Sequence, residues 1–121
     1  MTAVSSFEDL EAWQVARGLT REIYRLSVST PLKADFELRG QIRRAAISIM
    51  SNIAEGWERT GRGEKLQFYN YARASAGEVR SLTYVCQDAG YWDDEISITV
   101  RESTKSAGRL VSGLIRAVAS R

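Results

Sequence analysis

The chain has no histidine, one cysteine, one proline and eleven aromatic residues in 121. Each scarcity removes a class of function. Without histidine there is no histidine base, no Ser-His-Asp or Cys-His constellation and no His-containing metal site, so most small-enzyme templates fail. A lone cysteine cannot close an internal disulfide. No stretch of about 18 apolar residues occurs, so no membrane span is expected, and the opening MTAVSSFEDL lacks the basic start and apolar run of a secretory leader. The expected location is the cytoplasm. The sequence TGRG at 60–63 lacks the full phosphate-loop pattern and reads as a turn. There is no fixed-period repeat and no low-complexity tract.

What is present describes one globular domain over 1–121, with 44% hydrophobic and 26% charged residues. Three breaks divide it: STPLKAD around the only proline, ERTGRGE, and AGYWDDE with Gly90. The segments between them show apolar spacings of three and four, which predict helices over about 7–28, 36–57, 63–89 and 94–119. Their expected core stripes are Ala12, Ala16, Leu19, Ile23 and Leu26; Leu38, Ile42, Ala45, Ile49 and Ile53; Phe68, Ala72, Ser75, Val79, Leu82 and Cys86; and Ile96, Val100, Ser103, Ala107, Leu110, Leu114 and Val118. Ser6, Asp35 and Asp93 or Asp94 are the expected N-caps, with Asp9 adding a weak capping box to the first, and Gly90 suits the end of the third helix. Short connections favour antiparallel neighbours, so the expected fold is an all-α, up-down-up-down four-helix bundle.

Net charge is only +2, but fourteen of the seventeen cations are arginine, suited to planar contacts with carboxylate or phosphate. Basic residues are concentrated in 39–80. On the fourth helix Arg101, Lys105, Arg109 and Arg116 fall within a sector of about 80° opposite the expected apolar stripe, a ridge able to contact phosphates. A solvated helix face is the plainer alternative. Two further rows flank the core: Arg43, Ile47, Met50 and Ala54 on the second helix, and Trp13, Arg17, Thr20 and Tyr24 on the first. A second partly apolar row invites burial against another subunit, so Trp13, Tyr24, Arg43, Ile47, Met50 and Ala54 are candidate oligomer contacts. Broad boundary positions in a monomer would look the same.

Glu78 sits on the shoulder of the third apolar stripe, where a lone charge requires an answer, and Arg43 or Arg44 would supply a structural ion pair. Cys86 has a core phase and reads as a small buried residue. No cofactor or metal is expected, because a di-metal bundle needs Glu-x-x-His motifs that this chain cannot form. No catalytic residue is assigned.

The run QIRRAAISIMSNIAEGWER, with FEDLEAWQVARGLTREIY before it and FYNYARASAGEV after it, resembles the four-helix bundle proteins of 23S ribosomal RNA intervening sequences. Its most specific elements are Trp13, the block Gln41-Ile42-Arg43-Arg44-Ala45-Ala46, Asn52-Ile53-Ala54-Glu55-Gly56, and Glu78. The family usually has proline where this chain has Met50, so a kink expected in the second helix is in question, and Trp57 stands where a tyrosine-like residue is common. The resemblance implies an antiparallel bundle, assembly into a homopentamer with a central opening, and no established enzymatic activity. A relative serves diversity-generating retroelements as an accessory that binds a reverse transcriptase and nucleic acid. The expectation is a non-enzymatic oligomeric module presenting arginine to RNA, DNA or an acidic ribonucleoprotein. The competing expectation is an interaction scaffold with a protein partner and no nucleic-acid role. An enzyme using only carboxylates and arginines ranks third, for want of a positioned acid–base pair.

Overall fold

The computed structural model describes residues 3–120; residues 1, 2 and 121 of the expected domain lie outside them. Four helices form at the expected places: α1 (Glu11–Ser29), α2 (Phe36–Glu58), α3 (Arg62–Asp88) and α4 (Asp94–Ala119), with single 3-10 turns at Phe7–Asp9 and Pro31–Ala34. Asp35 caps α2 by accepting the Leu38 amide at 3.1 Å, and Asp93 caps α4 by accepting that of Ile96 at 2.8 Å. At the end of α3 Gly90 adopts φ +79, and the Tyr91 amide reaches back to the Cys86 carbonyl at 2.9 Å. This left-handed glycine turns the chain and satisfies carbonyls that the helix leaves open. α2 runs unbroken through Met50.

The first helix departs from expectation. Phe7–Asp9 forms a separate 3-10 turn, and α1 begins only at Glu11. The cause is Asp9, whose carboxylate accepts from the backbone and hydroxyl of Ser5, each at 3.1 Å, and from the Ser6 hydroxyl at 3.4 Å. The backbone bond from Ser5 is the largest of the contacts that hold the Asp9 carboxyl below its ordinary value.

Each helix packs on its neighbours in sequence and α4 closes on α1, which makes a four-helix bundle. Ile23, Ile42, Ile49, Ile53, Val79, Cys86 and Val111 are fully buried at its centre. The two loops at one end are tied together: the Trp92 indole N–H donates to Thr30 Oγ1 at 3.2 Å, and the Tyr91 hydroxyl donates to Asp35 Oδ2 at 3.0 Å. At the other end Arg62 donates to the Ala119 carbonyl at 2.7 Å, and Lys65 Nζ donates to the carbonyls of Gly56 and Trp57 at 3.0 and 2.9 Å. Both side chains satisfy carbonyls exposed at a helix C-terminus.

The stripes of α1 and α2 match expectation, whereas those of α3 and α4 are rotated. On α3 the buried positions are Tyr69, Ala72, Ala76, Val79, Leu82, Thr83 and Cys86, so Phe68 and Ser75 move to the margin. On α4 they are Ser97, Val100, Thr104, Ala107, Val111 and Val118, while Ile96, Ser103, Leu110 and Leu114 lie at the margin. Hydroxyl residues enter the core because they can turn their polar atom back on their own helix. Thr83 donates to the Arg80 carbonyl and Thr104 to that of Arg101, each at 2.6 Å.

Gly56 is a packing requirement. A Cβ built there would meet ring carbons of buried Tyr69 at 2.5 and 2.7 Å, closer than van der Waals contact allows. Gly56→Ala should therefore destabilise the fold by about 1–3 kcal/mol through overpacking, despite its better helix propensity. Urea unfolding followed by circular dichroism measures this directly.

Candidate functional site

The rotation of α4 changes the meaning of its basic ridge. At 100° per residue the buried stripe swings by about 50° toward the cations, so these lie beside the seam with α3 and not opposite the core. There a groove of about 660 Å³ opens between the two helices, lined by Arg73, Ala76, Gly77 and Arg80 of α3 and by Thr104, Lys105, Gly108, Arg109, Ser112 and Arg116 of α4. Its rim is cationic on both sides and its floor is small. No carboxylate lines it.

Arg101 stands at the end nearer the α3–α4 loop. Its guanidinium lies 4.1 Å from the Tyr84 ring centroid and donates to Thr83 Oγ1 at 3.3 Å, so it is held against α3, unlike the free ridge position expected of it. Lys105 is within 3.7 Å of Glu102, an exposed pair of little strength. Arg73 donates to the Asn70 side chain at 3.2 Å. Among the described residues, none of Arg73, Arg80, Arg109 and Arg116 is in an ion pair. Two smaller grooves have the opposite character. One, between α2 and α3, includes Asp35 and Glu37; the other, between α1 and α4, includes Glu22, Asp93 and Glu95. The slight net charge therefore conceals a segregation of sign around the bundle.

Of the residues lining this groove, the sequence pattern singles out Lys105, Arg109 and Arg116 and does not single out Arg73, Arg80, Gly77 or Gly108. A signal was available: Arg73, Gly77, Arg80 and Tyr84 follow spacings of four, three and four, which puts them on one face of α3.

The expected structural ion pair does not form. Arg43 donates to Ser27 Oγ at 2.8 Å and lies 4.5 Å from the Tyr24 ring centroid. Arg44 is exposed, its guanidinium beside Gly40. Glu78 is also exposed, on the flank nearer α2, where it accepts a long 3.4 Å bond from Gln41. Because α3 is rotated, water solvates the Glu78 carboxylate and no buried partner is required. The candidate oligomer row runs along the outer α1–α2 seam. Ile47 is 38% and Tyr24 41% exposed, Met50 and Trp13 pack partly on the core, and Ala54 is half-buried.

Among the described residues no group of three or more His, Cys, Asp or Glu side chains is placed to hold a metal ion, and no helix is long and apolar enough to cross a membrane.

The fold and its charged seam define a helical-bundle protein with a groove lined by cations. Over residues 8–113 the chain matches the 23S rRNA-intervening sequence protein family, and it belongs to that family. A solved structure of a protein of unknown function from the S23 ribosomal protein family, from Bacteroides thetaiotaomicron VPI-5482, is similar in fold. It has a TM-score of 0.81 and 18% identity, and the match covers 87% of this chain and 95% of that one. Comparison with curated proteins finds no match.

Cys86 is buried outside the groove. Burial, reinforced by the negative charge of Asp35, pushes its thiol from an ordinary 9.0 up to about 12. A thiol raised in this way stabilises the fold fully below its unfolded pKa and loses that contribution as pH climbs through the folded value. The native protein should thus resist an aromatic disulfide reagent at pH 8 and react once unfolded in urea. Stability should decline between about pH 9 and pH 12, and Cys86→Ala should lessen that decline in pH-resolved unfolding curves.

Proposed function

We propose that this protein is a non-enzymatic binding module that holds nucleic acid through the α3–α4 groove. One observation carries the reading: Arg73, Arg80, Lys105, Arg109 and Arg116 converge on a trough that has no carboxylate in its lining. Grouping like charges raises their mutual repulsion, which a polyanion relieves while releasing its own counterions. Arginine suits this role because its planar fork donates to two phosphate oxygens together. The family name, which refers to an intervening sequence of 23S rRNA, agrees with a nucleic-acid ligand.

Affinity measured by fluorescence anisotropy should fall steeply with salt, with a log–log slope of about −2 to −4 if three to five phosphates are neutralised. Arg80→Ala with Arg109→Ala should flatten that slope by about one to two. Absence of binding by the wild type at low salt to both RNA and DNA would overturn the reading and favour the scaffold with a protein partner.

We further propose that copies of the chain associate along the Ile47 row, as a homo-oligomer that is pentameric on the family resemblance. Exposed Ile47 and Tyr24, next to partly covered Trp13, Met50 and Ala54, support this. Symmetry would also repeat the groove and add avidity for a long polyanion. Light scattering coupled to size exclusion should give a mass several times 13.5 kDa, and Ile47→Glu should reduce it. A wild-type monomer at micromolar concentration would overturn this part.

A further inference from the structure

The groove's floor holds a feature that packing does not explain. Gly77 and Gly108 lie on opposite walls, within long helices, and a Cβ built on either would meet nothing within 4 Å. Neither has a positive φ, the one backbone state that would demand glycine. Mid-helix glycine costs stability relative to alanine, so at both positions the fold keeps the weaker residue where the stronger would fit. Gly18 in α1 is open in the same way, so openness alone marks no site; what sets Gly77 and Gly108 apart is that both line the trough, one on each helix. A side chain at either position would project into the space between the cationic walls.

That space has the form of a channel for one chain. Two walls belonging to packed neighbouring helices stand close together, and cations reach in from both: Arg73 and Arg80 on one side, Lys105, Arg109 and Arg116 on the other. A single sugar-phosphate strand passing between the two glycines meets both walls. Packed helix axes lie about 8–10 Å apart, so a duplex, wider than that, would meet only the rim. From Arg101 to Arg116 the row extends about 22 Å along α4, the rise of about six stacked nucleotides. At its loop-side end Tyr84 is 52% exposed, with Arg101 against its ring, and Ile98, one turn before Arg101 on the same face, is 53% exposed. An accessible aromatic ring at the end of a cationic trough is the surface on which an unpaired base stacks.

We infer that the α3–α4 groove is a single-strand site. The phosphate backbone passes over Gly77 and Gly108 between the two rows of cations, and a base stacks on Tyr84. This rests on the nucleic-acid reading above and adds to it the strandedness of the ligand and the reason for the glycines.

The test uses the full chain with fluorescent 12-nucleotide oligo(dT) and oligo(U), and a mixed-sequence 12-base-pair DNA duplex, all at low salt. The two single strands distinguish DNA from RNA, and tighter binding of either than of the duplex supports the inference. Gly77→Leu with Gly108→Leu should weaken single-strand binding at least tenfold while helical content and melting temperature are retained. Gly77→Ala with Gly108→Ala should raise the melting temperature by a few degrees, showing that neither glycine serves the fold. Gly18→Leu, at another glycine with open space beyond its Cβ but on α1, should leave binding unchanged. Tyr84→Ala should weaken single-strand binding roughly fivefold or more and duplex binding much less.

Three results would overturn the inference. They are a duplex bound as tightly as both single strands, a leucine pair that stays folded and binds within twofold of wild type, and an alanine pair that melts lower than wild type. In each case salt-dependent binding by the wild type would leave the broader nucleic-acid reading standing. No binding to any of the three probes would remove both.

Discussion

The smallness of the side chains along the α3–α4 seam governs the rest of this molecule. Where α1 meets α2 and α2 meets α3, the fully buried set includes branched aliphatics such as Ile23, Ile42, Ile49 and Ile53. Along α3 and α4 the buried set mixes Tyr69, Val79, Val100 and Val111 with Ala76, Thr83, Ser97, Thr104 and Ala107, so small and hydroxyl residues take a larger share there. Small residues bury less apolar area per position, so this seam gains less from the hydrophobic effect than an aliphatic one would. Thr83 and Thr104 offset part of that loss by bonding their own helices, whereas the buried Ser97 hydroxyl has no hydrogen-bond partner among the described residues. In return a trough runs down one side of the bundle, and long cationic side chains can crowd its margins.

Charge distribution follows from that geometry. A guanidinium needs water or an anion around it, and a rim beside a shallow trough supplies water without removing the field of its neighbours. Many of the carboxylates lie at the helix starts and the loop end, where Asp35 and Asp93 accept from backbone amides and Asp94 and Glu95 occupy the first turn of α4. Helix N-termini stabilise negative charge, so this placement is favourable locally. Acids are thus drawn toward the ends by the backbone, and the middle of the α3–α4 face is left to arginine.

Much of this architecture was legible in the chain. The proline break, the two Asp caps and the left-handed Gly90 are local devices whose chemistry depends on a few adjacent residues, and they occur where expected. The phase of α3 and α4 was not legible, because apolar periodicity favours Phe68, Ile96 and Leu110 over Thr83, Ser97 and Thr104. Only the neighbouring helix determines that hydroxyl residues go inside. That one displacement accounts for two linked errors: Glu78 expected at the edge of the core, and the basic ridge expected opposite it. The start of α1 was misread for a different reason, since Asp9 engages Ser5 ahead of the expected cap and closes a separate turn. For the candidate site, three of the five groove cations could be named from α4 alone. Their opposite wall required knowing which face of α3 they meet.

The two proposed surfaces are geometrically compatible, and this constrains any assembly. In a ring of four helices in which α4 closes on α1, the α1–α2 seam lies across the bundle from the α3–α4 seam. Arg43 stacked on Tyr24 and the Thr20 hydroxyl 3.2 Å from the Ala46 carbonyl place the row of Ile47 and Met50 along the first of these. Subunits joined there would cover apolar surface without closing the α3–α4 groove, and each would turn the arginines of that groove away from the contact. The cost of bringing like-charged subunits together would then be small at the joint itself, because the cations of these rows, Arg17 and Arg43, lie over the rings of Trp13 and Tyr24, and Arg43 is also bonded to Ser27. Contact through the α3–α4 face would instead set guanidinium against guanidinium with no carboxylate lining the groove to relieve them, so in the proposed assembly charge would disfavour that side of the bundle as the joint.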